Sequence, residues 1–160
     1  MKIALALHEL HHDELDLARE LLRVAERHRV DHEIHHLGGD LARWSQRHAR
    51  DIADLGKRFD LHLDAEPVEE TGVAHRLREK AGELIGRRPD ASLLMLRDLR
   101  EVYVKASGVS VDWVMIAQAA QGLKDAELPA LARRCHPDTL RQVRWANAKL
   151  KESCTQILVT

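Results

Sequence analysis

Only five of the 160 residues are aromatic (Trp44, Trp113, Trp145, Tyr103 and Phe59), and only two are cysteine. A chain of this length buries a substantial core as one domain without disulfides or a structural metal. Cys135 and Cys154 fit no zinc or redox spacing, so the thiols imply no scaffold; unpaired cysteines of this kind suit a reducing compartment, and the expected location is the cytoplasm. Long apolar runs are missing too. The opening MKIALALHEL holds five apolar residues between Lys2 and His8, too few for the core of a signal peptide and far short of the roughly 20 that span a bilayer, so neither export by that route nor an integral membrane segment is expected. Neither sign of charge dominates: 25 basic residues face 26 acidic ones, interspersed along the chain. Without a basic block, binding to nucleic acid has no electrostatic support. Finally, no stretch alternates apolar and polar residues as a half-buried strand does. The fold class expected is all-α.

What the chain does have is helical periodicity. Ile3, Leu7, Leu10, Glu14, Leu17, Leu21, Val24 and His28 follow a four-three rhythm that makes one seam on a long helix. A second seam runs Ile34, Leu37, Leu41, Trp44, His48, Ile52, Leu55 and Phe59. Asp64-Ala65-Glu66-Pro67 stops that helix, and a connection over 61–92 follows, with one short amphipathic segment carrying Val73, Leu77, Ala81, Leu84 and Ile85 before Gly86 and Pro89. Asp90 is placed to cap a third helix, whose seam from Met95 to Leu123 passes through Ser107-Gly108 without losing its rhythm. A turn near Lys124-Asp125 leads to a fourth helix, disturbed at His136-Pro137, where proline removes a backbone donor. The last eight residues, SCTQILVT, have no period and are expected as a loose tail over 153–160. Two short turns and one long central connection predict a single four-helix bundle domain over 1–160 with one crossover.

Two polar residues break the first two seams, Glu14 and His48. An unpaired charge in a helical interior costs several kcal/mol, so each needs a partner. A first turn centred near residue 31 puts both 17 positions from it, and antiparallel helices therefore bring them level. His11, one helical turn before Glu14, reaches the same layer. A carboxylate opposed to an imidazole begins a metal site, makes a structural hydrogen-bonded pair, or moves a proton; the residues leave all three open.

His8-Glu9-Leu10-His11-His12 also matches H-E-x-x-H, which on a helix can set two imidazoles on zinc beside a glutamate base. At about 100° per residue His8 and His12 fall roughly 120° from the leucine seam, on the flank, and no strand is predicted to hold a substrate beside them. Solvated histidines are the plainer reading. His28, His32 and His36 recur every four residues across the first turn and read as polar junction residues unless the backbone stays helical there.

The run Leu7-His8-Glu9-Leu10-His11-His12-Asp13-Glu14-Leu15 is similar to the first-helix motif of ferritin-like bacterial stress proteins of the YciF type. In that resemblance Glu14 matches an iron-ligating glutamate, His11 the family's aromatic, and His48 the second-helix histidine ahead of the apolar run ending at Phe59. The chain also departs from the pattern. Ser45 stands where the family has a glutamate, the seam from Met95 to Leu123 has no acid, Tyr103 is near an expected ligand position, and Arg133 precedes His136 where a glutamate would. A dinuclear iron site needs about four carboxylates and two histidines. The resemblance therefore implies a ferritin-like four-helix bundle with a reduced interior site for one iron or zinc ion, formed by Glu14 and His48 with His11 or His136, and a stress-related role. The alternative is a non-enzymatic helical interaction module with a structural Glu14–His48 pair, for which a homodimer is open; a zinc hydrolase built on His8, Glu9 and His12 is the remote third reading.

Overall fold

The computed structural model describes residues 2–64 and 90–159. Four long helices make up nearly all of them: α1 (Lys2–Arg27), α2 (His32–Gly56), α3 (Ala91–Leu123) and α4 (Glu127–Leu158). No strand occurs among the described residues, and the all-α expectation holds. The amphipathic segment expected around Val73 to Ile85 lies outside them.

Helices α2, α3 and α4 start where a side chain can satisfy their free N–H groups. Asp31 accepts from Ile34 N at 3.0 Å, Asp90 from Ser92 N at 2.9 Å, and Asp125 from Glu127 N and Leu128 N at 2.9 Å each. α3 ends at Lys124, a left-handed residue with φ of 53°. Gly108 sits inside α3, as the unbroken rhythm implied.

Two boundaries differ from expectation. α2 ends at Gly56 and not beyond Phe59: a short 3₁₀ turn over Lys57–Phe59 follows, closed by left-handed Asp60, and Leu61 N returns to Gly56 O at 3.1 Å. A β-carbon on Gly56 would stand 3.3 Å from that of Leu61, so the chain folding back over the helix end outcompetes another helical turn. The tail is not loose, since α4 continues to Leu158 and buries Ser153. Its core-facing positions, Ala146, Lys149 and Ser153, keep helical spacing but are small or polar, so no apolar period announces them.

α1 packs against α2 and α3, and α4 against α3 and α2. α1 runs antiparallel to α3, for Glu14 meets Trp113 while His28 meets Asp98 further back along α3. The core is aliphatic, with Leu7, Leu10, Leu17, Leu21, Ile52 and Ile116 at 1% exposure or less. At Gly38 a β-carbon would come within 3.0 Å of that of Ala25, so glycine permits the close approach of α1 and α2. Asp64, after α2, reaches His11 near the start of α1, whereas Asp98 near the start of α3 meets His28 just past its end. At 1.5 Å per residue these levels lie about 25 Å apart along α1.

Candidate functional site

The two seam-breaking residues meet. His48 Nδ1 and Glu14 Oε1 are 2.9 Å apart, with the side chains 1% and 0% exposed. Trp113, 0% exposed on α3, donates its indole N–H to the same oxygen at 2.8 Å and stands edge-on to the imidazole. The far side of the ring faces α4, where Nε2 lies 3.4 Å from Asp138 Oδ2. Asp138 in turn accepts from Arg47 and Arg141, each at 2.8 Å. A continuous polar line thus crosses the interior from Trp113 through Glu14 and His48 to a surface ion-pair cluster. The contact at 2.9 Å to Glu14 is the shorter, and so the stronger, of the two that the ring makes. Glu14 Oε2 is buried without a hydrogen-bond partner among the described residues.

The other two residues assigned to this site go elsewhere. His11 is buried, but its Nε2 lies 2.9 Å from the main-chain oxygen of Asp64, where the chain leaves α2; burial lowers its pKa against the raising effect of that bond. His136 pairs with Ser110 Oγ at 2.8 Å, across α3 and α4, and burial lowers its pKa. Each imidazole has a nearer partner on the element packed against it. Among the described residues no group of three or more His, Cys, Asp or Glu side chains is arranged to hold a metal ion. Ser45 is buried and accepts from Gln142 Nε2 at 2.9 Å. Tyr103 and Arg133 point outward.

The H-E-x-x-H histidines are on the solvated flank, as the helical wheel indicates: His8 and His12 are 55% and 62% exposed and lie beside Glu9 and Asp13, their sequence neighbours. The junction histidines do not form a chelating row, because the helix breaks between Arg27 and His32. His28 turns inward to Asp98 at 2.7 Å, while His32 and His36 stack on one another.

Sequence reasoning missed three members of the polar interior. Asp98 is 3% exposed and is held by His28 and by Arg27 at 3.0 Å; burial alone would raise its pKa, but His28, Arg27 and Arg23 outweigh that and hold it below the usual carboxylate range. It precedes Leu99 of the seam by one position and reads as a flank residue until α1 ends against it. Asp138 is visible only once α2 and α4 are known to be neighbours. Trp113 carried a signal, since a buried indole N–H needs an acceptor and Glu14 was the acid expected inside. At the α1/α3 seam, burial first and then the neighbouring Asp13 carboxylate push the pKa of Asp112 up to about 6.

One feature of the surface sets α3 apart. Residues 106–123 contain a single charged residue, Asp112, and it faces the α1 seam. The outward side of α3 presents Val104 at 48% exposure, Val111 at 58%, Val114 at 47% and Met115 at 53%. An apolar groove of about 590 Å³ adjoins it, lined by Ile3, Ala6, Met115, Ile116 and Leu123 among others. Compared with protein-family models, curated proteins and solved structures, the chain matches none.

Proposed function

We propose that this protein is a non-enzymatic helical interaction module whose Glu14–His48 pair is structural and whose partner docks on the outward face of α3. The observation that carries this reading is that face itself: an exposed row of valines and a methionine on the only long helix segment among the described residues without outward charge. Contiguous apolar surface of this kind is a cost to an isolated protein and marks interaction sites. The interior supports the same reading, because Glu14 Oε1 and both nitrogens of His48 are engaged by protein groups. A metal at His48 would have to displace one of those bonds.

A second reading is favoured by one atom. Glu14 Oε2 is a carboxylate oxygen in a fully buried side chain with no partner among the described residues, and a cation bound there would complete it. That is the reduced metal site of a ferritin-like bundle, a relationship supported by α1 being antiparallel to both α2 and α3, and by the different levels at which α2 ends and α3 begins. Metal analysis of protein purified without a polyhistidine tag separates the two. The interaction-module reading expects substoichiometric metal and a melting temperature unchanged by chelator, zinc or ferrous iron. About one ion per chain, lost in Glu14→Gln together with a metal-dependent rise in melting temperature, overturns it in favour of the second.

A further inference from the structure

We infer that the partner of the α3 face is a second copy of this chain, packed antiparallel about a two-fold axis near Val111. This rests on the reading of that face as an interaction surface and adds what covers it. Three observations point to self-association. First, the row is self-complementary. Taken about Val111, Met115 of one copy comes within about one residue's rise of Gly108 of the other on the same side of the contact, Val114 within the same distance of Ser107, and Val104 level with Gln118. Gly108 is exposed, and a β-carbon there would meet nothing within 4 Å, so each copy offers a notch where the other offers a methionine. An isologous contact requires this kind of correspondence.

Second, the exposed arginines lie at one end of the row. Arg97 and Arg100 stand before Val104, whereas past the other end Asp125 and Glu127 are both paired with Arg58 of their own chain. In the antiparallel register the two arginines of each copy come level with that paired end of the other, while a parallel arrangement sets the arginines of the two copies against each other. Avoiding like charges in this way fixes register and orientation more than affinity.

Third, the size fits. The row from Val104 to Gly122 is about 27 Å long at 1.5 Å per residue. Its exposed side chains offer on the order of 100 Å² each, and with Leu123 beside it the surface reaches roughly 600 Å², approaching what one partner contributes to a standard interface.

Sedimentation velocity over a concentration series tests the inference directly. The intact protein should run with the mass of two chains, and Val111→Glu and Gly108→Arg, both at solvent-facing positions, should run as single chains with unchanged far-ultraviolet circular dichroism. In a Cys154→Ser background, Val111→Cys should form a disulfide-linked dimer with diamide as the oxidant, and Ala148→Cys on the outer side of α4 should not. A wild-type protein of single-chain mass at high concentration overturns the homodimer, as does a dimer indifferent to both α3 substitutions. Stoichiometric metal in the preceding experiment overturns instead the reading on which it rests, so the two failures are distinct.

Discussion

Replacing His48 with alanine removes the α2 side chain that is hydrogen-bonded to Glu14. Glu14 then keeps the Trp113 N–H on Oε1 and has no partner on Oε2 among the described residues, at a site with no exposure. Breaking a buried pair by deleting one member costs about 3–5 kcal/mol, largely the penalty of the stranded charge. The retained indole bond offsets part of that, so about 3 kcal/mol is expected. Glu14→Gln keeps the volume and an acceptor for Trp113 and His48 but aims an amide donor where Oε2 has none to meet; about 1–2 kcal/mol follows. Glu14→Leu with His48→Leu strands no polar group except the indole N–H and should recover much of the loss. Urea unfolding followed by circular dichroism reads these differences: with a slope near 2 kcal/mol per molar, His48→Ala moves the midpoint down by about 1.5 M. The sign of the coupling decides the matter. Glu14→Leu and His48→Leu should each cost more alone than together, with a coupling of at least about 1.5 kcal/mol. Additive effects within about 0.5 kcal/mol, the ordinary result for independent sites, would refute the pairing.

Other consequences follow from the same interior. Asp112 has a folded pKa raised to about 6 from 3.8, so it contributes stability that is fully present below the unfolded value and lost as pH rises through about 6; Asp112→Asn should flatten that loss in thermal melts between pH 4 and 8 and stabilise by about 1 kcal/mol at neutral pH after discounting for solvent screening. Asp98, with its folded pKa lowered, works in the opposite sense: its contribution is present above the unfolded carboxylate value and is lost as pH falls through the folded one. Asp98→Asn should therefore cost about 2 kcal/mol at pH 7 and little in strong acid, read by the same melts. Burial first, then Asp51 and Glu14, push the Cys135 thiol up to about 12, so titration with a thiol reagent should modify Cys154 in the native protein and Cys135 only after denaturation. Two rapidly reacting native thiols would contradict the packing of α4.

The helices are a local matter. Leucine, isoleucine and valine at three-four spacing bury one face of each segment whatever lies opposite, and Asp31, Asp90 and Asp125 cap from their own neighbourhoods. The facing of Glu14 and His48 was legible for a related reason, since a short turn fixes the register of the two helices that it joins. Where that constraint ends, so did the reading. The levels of α3 and α4 against α1 and α2 depend on packing across the bundle, with no short turn to set them. Only the tertiary structure, accordingly, turned His11 to the Asp64 carbonyl and His136 to Ser110, brought Asp138 to the second nitrogen of His48, and closed Arg27 and His28 on Asp98. The end of α2 at Gly56 and the continuation of α4 to Leu158 belong to the same class, because a chain folding over a helix end and a helix paired through small and polar side chains leave no apolar rhythm in the residues themselves. The uncharged stretch over 106–123 was in the sequence throughout, but an apolar segment reads alike whether its second face is buried or open. The packing decides between them, and it leaves Val104, Val111, Val114 and Met115 exposed, since α1 and α4 cover the other side of α3.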